Sequence, residues 1–474
     1  MPTAFQQKLC HTSYLQIMIE NHQKVTAAPI GKTLLTMTIS MVLGTMGIVA
    51  FNLTDTFFVG RLGTRELAAL SFTFPVVFTI NSIALGLGIG VSSVVSLAAG
   101  SKNMDKVREL VTNGLIFSIL LVIILSIAGI FSIDFLFSLL GATPQEMTYI
   151  KEYMMIWFPG MIFVVIPMVG NSALRGVGDT KTPALIMLTS VFVNIALDPL
   201  LIFGWGIFPE MKLQGAALAT VIARFCSMSL SLLFLIKIKQ LVNFKLPEWG
   251  NLYKSWKEIL YIGIPASGTR IIIPLSSGVL TRIISTYGHQ AVAAYGVATR
   301  IEFFALVSLV SLANVLAPVV GQNIGAGKVK RVYQAIKKSN IYAVLAGLLN
   351  CLLLFIAIPK IASIFNDDPK VVANIVLYFR IISFSYGLEG IFILATMVMN
   401  VIKKPFQSAL ISLIQMFLVC VPLAVLGSHF LQVKGIYLSI SVSYILGGLI
   451  SLLILYKYLG DFFKKEFPPT VKFN

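Results

Sequence analysis

Two aspartates, Asp55 and Asp198, stand inside stretches that otherwise read as membrane-crossing helix, MVLGTMGIVAFNLTDTFFVG and ALIMLTSVFVNIALDPLLIFGWGIF. An acid at such depth costs about 2.5 to 3.5 kcal/mol on insertion scales, so it belongs beside a wet cavity or an ion path rather than against lipid. Asn194 lies four residues before Asp198 and shares its helix face. Asn52 stands three before Asp55, with Thr45 further down the same stripe. Two carboxylates with amide and hydroxyl oxygens suit a hard cation such as Na⁺. The same pair can carry a proton, because two nearby buried acids do not both ionise cheaply. The chemistry expected of these residues is ion capture.

Such side chains need elements that bring them to one level. At a rise of about 1.5 Å per residue, Asp55 sits about 8 Å below the outer end of its helix, and Asp198 and Thr220 near 10 Å. Asn194 is one turn deeper than Asp198, and Tyr153 of another helix reaches a similar height. The first, fourth, fifth and sixth spans thus present oxygen or amide groups in the outer half of the membrane.

The composition agrees with that setting. Of 474 residues, 57% are hydrophobic and only 12% charged, and the mean hydropathy is +0.89. No soluble fold needs so much apolar sequence. The first 32 residues are polar and lack the apolar core of a cleavable signal, so the first span is expected to serve as its own insertion signal. Cys10, Cys226, Cys351 and Cys420 are scattered singly, without metal spacing or a disulfide framework. The net charge of +17 lies between apolar runs, where anionic lipid headgroups are a better counterpart than nucleic acid.

Apolar windows of roughly 20 residues or more predict an all-α membrane protein of about twelve spans: 34–59, 67–99, 109–131, 146–174, 183–207, 214–240, 257–286, 290–320, 331–358, 369–402, 405–427 and 434–458. Basic residues such as Lys102, Arg108, Lys181, Lys245, Lys330 and Lys404 gather on one side with both termini. Only Arg61, Arg65, Lys151, Lys212, Lys360, Lys370 and Lys434 fall on the other. The positive-inside rule then places both termini in the cytoplasm. The expected organisation is a cytoplasmic segment 1–33, a lobe of six helices over 34–240, a cytoplasmic linker 241–256, a second lobe over 257–458 and a tail 459–474.

The halves resemble each other. LAAGSK at 97–102 recurs as IGAGK at 324–328, TKTPALIMLTSVF at 180–192 parallels KKPFQSALISLIQMF at 403–417, and QGAALATVIA at 214–223 parallels KGIYLSISVS at 434–443. Six spans separate the copies, so the repeats are parallel and related by a pseudo-twofold along the membrane normal. Substrate is then expected in the cleft between lobes, exposed alternately to each side.

With these residues in view, the chain resembles a multidrug and toxic compound extrusion (MATE) transporter from about residue 30 to 455. The stretches that carry the resemblance are DTFFVGRLG at 55–63, ALRGVGDTKTP at 173–183, NIALDPLLIFG at 194–204, GAALATVIAR at 215–224 and PVVGQNIGAGK at 318–328. The resemblance implies export of amphipathic, often cationic compounds against inward Na⁺ or H⁺, with no covalent chemistry and no cofactor. It implies that Asp55, Asn194, Asp198 and Thr220 form a cation site in the first lobe, supported by Tyr153, as in archaeal and DinF-like members; Asn52 joins the supporting network by its helical spacing from Asp55. The NorM-like branch uses acids on helices 7 and 10 of the second lobe. Here the seventh span carries Arg270 and Arg282 but no acid, whereas the tenth keeps Glu389. A proline that bends the first helix in some members is missing between Pro29 and Pro75, leaving Gly44 and Gly47 as candidate hinge points.

Glu302 and Glu389 are candidates for a substrate or second-lobe site, weighed against charge pairing with Arg300, Arg270, Arg282 or Arg380. Arg224, four residues after Thr220, is a candidate partner for a first-lobe acid. Asp179 reads as a cytoplasmic turn beside Arg175 and Lys181. No nucleotide-binding loop, metal cluster or nucleophile constellation points to an enzyme. The alternative reading is a lipid-linked oligosaccharide flippase of the same superfamily; a channel or receptor-like protein is the weakest. The protein is expected in the cytoplasmic (inner) membrane as a monomer, with small-molecule drugs or toxins, Na⁺ or H⁺ and membrane lipids as its partners.

Overall fold

The computed structural model describes residues 25–466 apart from 246 and 366, and not the side chains of Asn52, Thr64, Arg65, Leu67, Ala68 and Glu466. Residues 1–24 and 467–474, with Cys10, Lys8, Lys24 and Lys472, lie outside the described residues. Among the described residues the regular structure is helical, without a strand.

The chain divides into two compact units, one of Met1–Ala27 with Ile39–Ile264 and the other of Ala28–Thr38 with Pro265–Asn474. In the first unit the helices are α1 (Ile30–Gly60, whose residues up to Thr38 belong to the second unit), α2 (Thr64–Gly100), α3 (Met104–Leu139), α4 (Pro144–Gly160), α5 (Ile162–Gly176), α6 (Lys181–Ile202) and α7 (Lys212–Leu233). Local signals start them. Asn103 caps α3 by accepting from the Lys106 amide, and Thr143 with Glu146 closes a capping box ahead of Pro144 at the first turn of α4. α4 and α5 form one broken crossing, bent by 43° just after Pro159.

The second unit carries α9 (His289–Gly325), α10 (Val329–Phe365), α11 (Pro369–Ile382), α12 (Tyr386–Val401), α13 (Pro405–Leu413) and α14 (Val421–Glu466). A π-helical turn, Ile414–Cys420, joins α13 to α14. Inside α14 the backbone leaves helical geometry at Gln432 (φ 52°, ψ −137°), where Gly427 and Gly435 pack backbone to backbone. That reversal makes α14 two passes. Among the described residues ten helices are long and apolar enough to cross a membrane, the α4–α5 pair supplies an eleventh crossing and the reversal a twelfth, in agreement with the twelve expected spans.

α8 (Trp249–Ser285) is shared: its first residues up to Ile264 belong to the first unit and the rest, from Pro265, to the second. The second half of the segment expected as a linker, 241–256, is helical but too polar to register as an apolar window: Leu252 and Ser255 point inward while Trp249 and Tyr253 are exposed. Ser255 accepts from Asn113, Trp256 donates to the Asn113 carbonyl, and a Cβ on Gly90 would collide with the Ile259 carbonyl oxygen. Only glycine permits α2 and α8 that backbone approach.

Candidate ion-binding site

α1 and α6 run in the same direction, and two glycines set their spacing. A Cβ on Gly44 would lie 2.9 Å from the Ala184 Cα, and one on Gly47 3.0 Å from a Leu188 methyl. Gly44 and Gly47 thus make a packing seam. From that seam Asp55 lies eight residues beyond Gly47 and Asp198 ten beyond Leu188, or about 12 and 15 Å along parallel helices. The two acids arrive at nearly one height and interact electrostatically. The start of α7 is drawn onto the end of α6 at Gly215, where any Cβ would meet the Leu201 carbonyl. That contact carries Thr220 to the same region.

Asn194 and Asp198 are completely buried, and the Asn194 amide donates to Asp198 Oδ1 at 2.9 Å. Thr220 and Tyr153 are buried as well, whereas Asp55 is half-buried. Tyr153 interacts electrostatically with both aspartates. Among the described residues, Asp55 Oδ1, Asn194 Oδ1, Asp198 Oδ2 and Thr220 Oγ1 are each buried without a hydrogen-bond partner. A buried acceptor left unpaired costs about 1 to 3 kcal/mol, so such atoms need a ligand or a proton. Four oxygens from three helices form a donor set that suits a small hard cation, and either carboxylate can take a proton instead. The Asn52 side chain lies outside the described residues. Thr45 donates to the Met41 carbonyl within its own helix. Among the described residues no group of three or more His, Cys, Asp or Glu could hold a metal ion.

Arg224 joins the site. It interacts with Asp55 and Tyr153, and its guanidinium stacks 4.4 Å from the centre of the Phe51 ring. Its place one turn beyond Thr220 was the sequence signal.

Glu302 and Glu389 are both buried in the second unit, but among the described residues no arginine pairs with either. Tyr378 donates to Glu302 at 2.6 Å and Tyr444 at 3.4 Å, while Gln415, on the π-helical turn, donates to Glu389 at 2.9 Å. Arg300 is exposed and Glu302 buried, because residues two apart on a helix point to nearly opposite sides. The tyrosine partners were invisible to sequence reasoning.

Asp179 pairs with Lys239 at 2.7 Å, both nearly buried, and not with Arg175 or Lys181. The amide and hydroxyl of Thr182 also donate to it, at 3.0 and 2.8 Å. Burial alone would push the Asp179 carboxyl up, but the Lys239 ammonium and the Thr182 donors outweigh it and hold the group below the ordinary carboxylate range.

The MatE family model matches residues 33–200 and 265–426. The chain is 38% identical over 432 residues to a FAD transporter of Shewanella oneidensis, a match spanning 91% of this chain and 95% of that protein. It is 31% identical to the probable multidrug resistance protein YoeA of Bacillus subtilis, over 86% of this chain and 89% of the relative. The crystal structure of the Vibrio cholerae MATE transporter VcmN in the bent form superposes with a TM-score of 0.87 at 27% identity, covering 92% of this chain and 98% of that one.

Proposed function

The chain belongs to the MatE family of membrane transporters, which are not enzymes, and from that premise we propose that it is a secondary active exporter. It moves an amphipathic small molecule outward across the cytoplasmic membrane against inward Na⁺ or H⁺, by alternating access, with both termini in the cytoplasm. The observation that carries the reading is the set of four buried, unpartnered oxygens on Asp55, Asn194, Asp198 and Thr220. A coupling ion supplies what these oxygens lack, and its binding and release give each half-cycle a different charge. Tyr153 and Arg224 set the local field, and Asn194 holds one oxygen of Asp198 so that the other faces the ion.

On the cargo there are two readings. Cationic drugs follow from relatives named as multidrug resistance proteins. Export of FAD or a similar flavin nucleotide is favoured by the relative named a FAD transporter, whose 38% identity is the higher of the two. A lipid-linked oligosaccharide flippase remains the alternative within the superfamily.

Proteoliposomes test the proposal. Vesicles loaded with ethidium or FAD receive an opposing Na⁺ gradient at fixed pH, then a pH gradient at fixed Na⁺. Efflux driven by one of the gradients is expected. Efflux that ignores both would sink the ion-coupled reading.

A further inference from the structure

One contact between two helices borders the ion site on the side of the Gly44 seam. Phe51 lies one turn from Asp55 on α1, and Arg224 one turn from Thr220 on α7. α6 and α7 are antiparallel neighbours, with Ser190 donating to the Ala223 carbonyl at 3.2 Å and Gly215 packed on Leu201. α7 therefore runs against α1, and both one-turn steps lead the same way, about 6 Å from the site oxygens. There the Arg224 guanidinium stands 4.4 Å from the centre of the Phe51 ring, which is only 4% exposed and packs with Val191 and Ala223. Among the described residues the Arg224 side chain has no hydrogen bond or ion pair. Asp55 Oδ1, on the acid that its charge attracts, has no hydrogen-bond partner either. The titratable groups around the guanidinium and the acid are Tyr153 of α4 and Asp198 of α6.

A guanidinium keeps its charge in the interior and needs a counter-charge there. Asp55 is that counter-charge, yet the guanidinium rests on a ring instead of on the carboxylate. A desolvated cation over an aromatic face has a stable second resting place. Rotation about the bonds of the long arginine stem spans the one-turn step between ring and acid. A metal ion on Asp55 repels the guanidinium toward the ring and a proton there releases it; departure of either frees the carboxylate to draw it back. An anionic cargo is a poorer partner for Arg224, because two aspartates stand close by. We propose that Arg224 is a tethered cation that replaces the transported ion on Asp55 during the cargo-bearing half of the cycle and rests on Phe51 during the ion-bearing half. The inference rests on the ion-coupled export reading and adds what neutralises the buried acid once the ion has left.

The test measures ion binding by the full chain in nanodiscs, with radioactive Na⁺ read by scintillation proximity and protons by a pH-sensitive dye, each as the difference from Asp55→Asn. Arg224→Gln removes the competitor, so the midpoint concentration of the bound ion is expected to fall about tenfold, or about one pH unit for protons. Phe51→Leu removes the resting place, keeps the guanidinium on Asp55 and is expected to raise the midpoint about tenfold. Arg224→Lys, which keeps the charge, should stay closer to wild type than Arg224→Gln. In proteoliposomes the maximal efflux of Arg224→Gln should fall about tenfold or more although the ion binds more tightly, a split that a packing role does not produce. An unchanged or higher midpoint in Arg224→Gln, an unchanged or lower one in Phe51→Leu, or binding of neither ion by the wild type overturns the proposal. A fixed charge that merely repels the ion shifts the first variant and not the second, and so counts against it. Should Arg224→Gln fail to fold, the Phe51→Leu midpoint decides alone. Gradient-driven efflux of ethidium or FAD by the wild type reports the export reading. If it occurs while neither midpoint moves, only the inference falls. If no gradient moves either cargo while both midpoints shift as stated, only the export reading falls.

Discussion

Asn194 donates its side-chain amide to Asp198 one helical turn away, at 2.9 Å, so that one carboxylate oxygen is held and the other left bare. A rigid half-saturated acid binds an ion with a defined geometry. Asn194→Ala removes the donor and is expected to raise the cation or proton concentration for half-maximal efflux by about tenfold. Titrating the driving ion in proteoliposomes measures it; an unchanged midpoint would mean that Asn194 merely packs.

Asp55→Asn and Asp198→Asn conserve shape and remove the carboxylate. Both are expected to abolish ion-driven efflux while the protein still reaches the membrane in normal amount. Membrane fractionation with a proteoliposome flux assay decides the point, and wild-type efflux in both variants would remove the acid pair from the coupling step.

The Gly44 seam makes a prediction about stability. Gly44→Val would drive side-chain atoms into Ala184 and Met187, costing about 1 to 3 kcal/mol and pushing α1 from α6. Gly278→Ala is the control, because nothing lies within 4 Å of its added Cβ. Detergent melting curves should show a clear loss for the first and little change for the second.

The Asp179–Lys239 pair predicts a pH dependence. The native carboxyl titrates below its ordinary value of 3.8, so folding gains stability from it above that pH and loses it as acid protonates the folded form. Asp179→Asn strands the buried ammonium and is expected to lower stability at neutral pH by about 3 to 5 kcal/mol. The wild type should lose stability on acidification below pH 3.8 more steeply than the variant, a difference that melting temperatures across an acid series would reveal.

Much of the fold was legible because lipid demands long apolar runs, and acids interrupt such runs conspicuously. Asp55 and Asp198 stood out for that reason. Asn194 followed from helical spacing alone. What stayed hidden depends on partners far apart in the chain: Tyr378 and Tyr444 reach Glu302 from 76 and 142 residues away, and no local pattern announces either. Lys239 likewise reaches back to Asp179 across a whole helical hairpin. The reversal at Gln432 falls in the gap expected between the spans 405–427 and 434–458, whereas the docked start of α8 is too polar to register as an apolar window.

The shared helices bear on how the chain can be cut. The start of α8 is built into the first unit through Asn113, Gly90 and Ser255, and residues 28–38, with the first turns of α1, belong to the second, where Arg331 holds the Ala28 carbonyl at 2.8 Å. Severing the loop before Trp249 would leave each fragment missing a strut that the other supplies. Co-expressed pieces should therefore assemble with each other, and a single piece made alone should be cleared by the cell's proteases.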